Sequence, residues 1–264
     1  MTAWMLRMGF GMTLLLAAAL LWVWLRQERM LFYPVPLAAE HRFDFGADVQ
    51  EVQIPVAGGA KLSALHLRQD TPKGLVFYLH GNAGNLQSWF VTADFYRRAG
   101  YDLFMLDYRG YGKSSGKIDS EAQLRADVRA AWDAITPRYE GKRRVIVGRS
   151  LGTALAAELS VQVKPDQLVL ISPYLRMVDL MRQHFPLLPT WLLRYPLDTA
   201  ASLRHWQGPL LLLHGERDEL IPATHSEQLQ MLAPQGQLTL IRGASHNDLQ
   251  SFDQYLQSVK QVLP

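Results

Sequence analysis

Short, almost unbroken apolar runs recur along the chain at 74–80 (GLVFYLH), 101–107 (YDLFMLD), 143–148 (RRVIVG), 166–172 (DQLVLIS), 209–215 (PLLLLHG) and 237–242 (QLTLIR). Runs without a polar face belong to strands covered on both sides. Helical segments lie between most of them, at 87–99, 120–136, 151–163 and 223–233, with another at 249–262 after the last. Strands alternating with crossover helices are the βαβ rhythm of a doubly wound sheet. Ahead of it, VQEVQIPV (49–56) and AKLSALHLRQ (60–69) flank AGG and read as an antiparallel hairpin. The pattern predicts an α/β fold, with a mostly parallel sheet and helices on both faces.

Two intervals break the rhythm. The stretch between 172 and 209 is too long for a simple crossover and is rich in Leu, Met, Phe and Trp. It reads as a lid-like insert at about 174–200, with a short crossover helix near 199–206. Tyr174, Leu175, Phe185, Leu187, Leu188, Trp191 and Leu192 are its candidate lining for an acyl groove. The second interval is the amino terminus. Residues 8–25 carry no charge and are flanked by Arg7, Arg26 and Arg29. A run of about 18 apolar residues spans a bilayer as a helix, and Trp22 and Trp24 sit where indoles prefer the interface. More apolar residues follow Ala17–Ala19, so an uncleaved signal anchor is expected rather than a removed signal peptide. The flanking arginines nearly balance; the reading leans to an extracytoplasmic domain. The expected organisation is an anchor at 1–30, a linker at 31–48 and one domain at 49–264.

Composition narrows the function classes. The 264 residues are 48% hydrophobic and 19% charged, with a net charge of +3. No basic cluster interleaves with aromatics, so nucleic acid is not an expected partner. There are no cysteines, which excludes disulfides, Cys-ligated zinc and thiol catalysis. No H-x-x-x-H or H-E-x-x-H spacing suggests a metal site. The GKS within DYRGYGKSSGK (107–117) is not a phosphate loop: that motif needs glycine at position 107, which is Asp107.

The candidate chemistry starts at VIVGRSLGTALAAEL (145–159). A strand that turns into a helix within a residue or two forces its pivot into a strained, positive-φ conformation. Glycines two residues before and after remove Cβ atoms that would clash. The spacing Gly148-Arg149-Ser150-Leu151-Gly152 therefore reads as a nucleophile elbow. An ordinary glycine-rich βα turn, with Ser150 capping the helix, would show the same five residues, so partners are needed. Asp218 lies just past the strand at 209–215, and His246 just past the strand at 237–242. Open α/β sheets bind ligands beyond the carboxyl ends of their strands. The order Ser, Asp, His is that of an α/β-hydrolase. Leu151 N–H is one expected oxyanion donor; Asn82 or Ala83, in HGNAGN (80–85), supplies the other. Such a donor is worth roughly 3 kcal/mol of transition-state stabilisation.

Together, HGNAGN, DYRGYGKSSG, GRSLG, HGERDELIP and SHND resemble the α/β-hydrolase superfamily, and most closely its membrane-anchored abhydrolase-domain serine hydrolases. The resemblance covers nearly the whole chain. It implies an eight-stranded, mostly parallel sheet, no cofactor, and serine hydrolase activity. It assigns Ser150 as nucleophile, Asp218 as acid, His246 as base, and Asn82 with Leu151 as oxyanion donors. The expected function is a membrane-anchored hydrolase of carboxylic esters or thioesters acting on a small or lipid-like acyl substrate. The alternatives are a serine peptidase, for which the insert offers only Asp179 and Asp198 to hold a substrate amino terminus, and a non-catalytic membrane-tethered scaffold.

Overall fold

The computed structural model describes residues 2–264; Met1, the first residue of the expected anchor, lies outside the described residues. Helix α1 (Thr2–Leu31) runs 30 residues. Its Arg7–Leu31 portion is long and apolar enough to cross a membrane. It outlasts the apolar run because the RQERML segment, residues 26–31, is made of good helix formers. Pro34 then forbids continuation.

Eight strands form the main sheet: β1 (Val49–Pro55), β2 (Lys61–Leu67), β3 (Gly74–Leu79), β4 (Tyr101–Leu106), β5 (Arg143–Arg149), β6 (Gln167–Ile171), β7 (Leu210–Gly215) and β8 (Gln237–Ile241). Their order is β8-β7-β6-β5-β3-β4-β2-β1. The β1–β2 and β2–β4 pairs are antiparallel; the other five are parallel. Alternate residues of β3, such as Leu75 and Phe77 against Val76 and Tyr78, enter two cores on opposite faces. One core is closed by α3 (Glu121–Ile135), α4 (Gly152–Val163), α6 (Thr199–Leu203) and α7 (Thr224–Leu232). The other is closed by α2 (Ala93–Ala99) and α8 (Asp253–Gln261).

Three expectations differ in detail. The helix expected at 87–99 is broken into a turn at Leu86–Trp89, a 3-10 turn at Phe90–Thr92 and α2. Asn85 caps the first turn, accepting from Gln87 N–H at 2.9 Å. The helix expected at 249–262 begins as a separate 3-10 turn, Leu249–Ser251. The segment read as a linker, 31–48, is not a loose tether. Phe32 is buried, its ring edge-on to Tyr195 at 5.1 Å. Tyr33–Pro34 pairs in parallel with Ala83–Gly84, and Leu37 N–H donates to Gly112 O at 2.8 Å.

The insert forms α5 (Met177–His184), a 3-10 turn at Thr190–Leu192, and an extended return to α6. It is fastened to α1. The Gln27 amide donates to Leu192 O at 3.0 Å and accepts from Arg194 N–H at 2.6 Å. Glu28 pairs with Arg194 at 2.6 Å and accepts from the Tyr195 hydroxyl at 2.8 Å.

Candidate active site

Ser150 sits between β5 and α4 with φ of 49°, the strained pivot expected of an elbow. A Cβ on Gly152 would lie 2.2 Å from Leu79 O, and one on Gly148 would lie 2.6 Å from Ala156 Cβ. Both glycines are there for space alone, since neither has positive φ. Ser150 N–H donates to Ile171 O at 2.9 Å, which locks the turn to the neighbouring strand.

The loops after β7 and β8 converge on this serine. Arg217 N–H donates to Ala244 O at 2.9 Å, joining the two loops. His246 Nε2 lies 3.1 Å from Ser150 Oγ. His246 Nδ1 lies 2.7 Å from Asp218 Oδ2. The other carboxylate oxygen accepts from Leu220 N–H at 3.0 Å and Ile221 N–H at 2.8 Å. Burial opposes the charge on Asp218. Hydrogen bonding with His214 and His246 and from Ile221 N–H outweighs it and holds the carboxyl well below the usual range. His214 Nε2 lies 3.3 Å from Asp218 Oδ2 and also faces Ile221 O at 2.7 Å, while its Nδ1 faces Ser226 Oγ at 2.6 Å.

The structure brings Asn82 and Leu151 to the same cavity as Ser150. Among the described residues neither backbone N–H has a protein acceptor. Ala83 lies outside that lining, exposed in the short strand paired with Tyr33. The loop is shaped from below by the DYRGYG stretch. The Tyr111 hydroxyl donates to Asn82 O at 2.6 Å, and the Tyr108 hydroxyl donates to His80 O at 2.9 Å. Burial pushes the Tyr111 phenol up, so it stays a donor. Ser114, within GKS, is buried and donates to Asp107 O at 2.7 Å. That stretch is a structural support.

A cavity of about 230 Å³ opens beside Ser150. Of the expected groove residues, Tyr174, Phe185, Leu188 and Leu192 line it. Trp191, Leu175 and Leu187 do not, and the Trp191 expectation is corrected. The 3-10 turn directs Leu192 inward, 2% exposed, and its neighbour Trp191 outward, 73% exposed. The reading of the sequence missed the opposite wall, which is made by Val23, Gln27, Met30 and Leu31 of α1. Their 3- and 4-residue spacing was a visible signal, but the run around them is apolar on every side. Arg149 was also missed. It is buried, stacks over Trp89 at 5.2 Å, and donates to His246 O at 3.1 Å and Gln250 Oε1 at 2.9 Å.

Residues 70–197 match the serine aminopeptidase, S33 family. An uncharacterized protein of Mycobacterium tuberculosis is 31% identical over 252 residues, covering 91% of this chain and 87% of that protein. Human alpha/beta hydrolase domain-containing protein 17B is 30% identical over 212 residues, covering 78% of this chain and 72% of that one. The Pyrococcus furiosus esterase Pf2001 superposes with a TM-score of 0.70 at 22% identity, covering 88% of this chain and 97% of that one. With the elbow, the strand order and these relatives in view, the chain belongs to the α/β-hydrolase superfamily and resembles its abhydrolase-domain members.

Proposed function

We propose that the protein is a membrane-anchored serine hydrolase that cleaves carboxylic esters or thioesters through Ser150, His246 and Asp218. The observation that carries this reading is the unbroken series from Ser150 Oγ to His246 Nε2 (3.1 Å) and from His246 Nδ1 to Asp218 Oδ2 (2.7 Å). His246 takes the serine proton as Oγ attacks the carbonyl carbon. Asp218 accepts from Nδ1–H, fixing the tautomer and offsetting the imidazolium charge. The N–H groups of Leu151 and Asn82 donate to the oxyanion. His246 then returns its proton to the leaving alcohol or thiol. A water, deprotonated by His246, releases the acid from Ser150. In this reading residues 49–264 form the hydrolase domain and 1–30 the anchor.

The apolar cavity favours a medium or longer acyl group over acetyl, since each buried methylene adds about 0.8 kcal/mol. A peptidase would need a free acid near the cavity. Asp179 is bound to Arg176 at 2.7 Å, Asp198 caps Ala201 N–H at 2.8 Å, and neither lines the cavity. The deciding experiment labels the full chain with a fluorophosphonate and assays acyl esters, thioesters and aminoacyl amides. Labelling lost in Ser150→Ala, with esters or thioesters turned over fastest, is expected. An unlabelled wild type would leave a scaffold, and fastest turnover of the amides would make it a peptidase.

A further inference from the structure

Three apolar side chains of the insert are exposed: Leu187 is 95% exposed, Trp191 73% and Phe185, at the rim of the cavity, 53%. Three exposed large apolar side chains within residues 185–191 point to an interaction surface. Its position says which. The same segment carries Leu188 and Leu192, which share the cavity wall with Val23 and Met30 of α1. The bonds from Gln27 to Leu192 and Arg194 hold it level with the last two turns of that helix. Those turns are where α1 changes character. Trp22 and Trp24 are exposed, and exposed Arg26 and Arg29 follow. Indoles and arginines at the end of an apolar span mark the headgroup layer. The insert tip therefore stands at headgroup depth, and an exposed Trp191 suits that layer. The wall itself is a stripe. Val23, Gln27 and Met30 lie on one helix face, and Leu16, further up the same face, is 61% exposed. An acyl chain lying along α1 in the leaflet would meet the cavity without crossing water.

We propose that Phe185, Leu187 and Trp191 seat the insert in the surface of a phospholipid bilayer, and that a membrane-resident acyl chain passes along the Val23–Met30 face of α1 to Ser150. This rests on the reading of the chain as a membrane-anchored hydrolase.

The chain has no cysteine, so Leu187→Cys gives a single site for an environment-sensitive fluorophore. Glu140→Cys, exposed at the amino-terminal edge of the sheet ahead of β5, is the control. The full chain is placed in phosphatidylcholine–phosphatidylglycerol vesicles. The label at 187 should shift to the blue, yield to lipid-borne quenchers and resist aqueous iodide, while the label at 140 does the reverse. A label at 187 as open to iodide as that at 140 overturns the proposal. So does one shielded from iodide but untouched by lipid-borne quenchers, which would mean a second copy covers the patch. The double variant Leu187→Asp, Trp191→Asp supplies the second readout. It should lose about tenfold or more in kcat/KM on a long-chain ester embedded in vesicles, with a short soluble ester unaffected. Equal rates on both substrates in variant and wild type overturn the docking surface. Failure of the wild type on the soluble ester would instead strike the hydrolase reading.

Discussion

The Arg149 guanidinium donates to the backbone carbonyl of His246 at 3.1 Å, so the variable position of the elbow holds the loop that carries the proposed base. A hydrogen bond from a charged donor contributes about 1.5–3 kcal/mol. Arg149→Leu should lower kcat by roughly 10- to 100-fold and leave KM for a short ester unchanged. Arg149→Lys should recover little, because a single ammonium cannot reach His246 and Gln250 together. Equal losses in kcat and thermal stability, with KM raised, would mark Arg149 as structural only.

Ser150→Ala should abolish turnover, with a loss of up to about 10⁶, and leave the fold intact. Asp218→Asn should cost about 10⁴ through the wrong imidazole tautomer. Steady-state rates with circular dichroism as the folding control check both. Asp179→Asn proving the more damaging change would displace the assigned acid.

Gly152→Ala tests the elbow's geometry rather than its chemistry. The new Cβ would sit 2.2 Å from Leu79 O, a backbone atom that cannot swing aside. Overpacking of this kind costs about 1–3 kcal/mol. A drop in melting temperature together with lost fluorophosphonate labelling is expected; a variant as stable and reactive as wild type would contradict the packing.

Stability should fall with acid through a group far from the site. His66 is buried, with Nε2 at 2.6 Å from the Tyr139 hydroxyl, which donates to Asp102 at 2.6 Å. Burial, with help from the charges of Arg68 and Arg138, lowers His66 to about 3. The unfolded chain titrates it near 6.5 and so binds the extra proton between these values. The stabilisation is complete above about pH 6.5 and drains as pH falls toward 3, by up to about 1.4 kcal/mol per unit. Half-buried His225 is also lowered by burial and acts in the same sense. Asp102, raised by burial, opposes it only at the acid end. Melting temperature against pH should be flatter in His66→Asn than in wild type; parallel curves would refute the assignment.

Much of the molecule was legible before folding. The strands were readable because burial on both faces leaves runs that are almost wholly apolar, as in LVFYL and LVLI, with only isolated polar residues such as Asp102 and His214 among them. The elbow was readable because its glycines are dictated by contacts within a few residues and the adjacent strand. The insert was not, because Pro186 and Pro189 break its periodicity and the inward Leu192 and outward Trp191 are both apolar. Gln27 was invisible for a different reason. Its partners lie 165 and 167 residues away, and a single glutamine at a helix end carries no local sign of them. Arg149 likewise meets its partner 97 residues on.

The joint between α1 and the insert is stiff. A domain on a flexible tether swivels freely, but here the two hydrogen bonds of the Gln27 amide, the Glu28–Arg194 pair and the Phe32–Tyr195 ring contact remove that freedom. Any tilt of the helix is carried directly into the mouth of the cavity. A span adjusts its tilt to the thickness of the hydrocarbon it crosses. If α1 spans a bilayer as proposed, the bilayer's thickness would thus set the angle at which the mouth of the cavity meets the leaflet, and the same chain would work at different rates in thin and thick membranes.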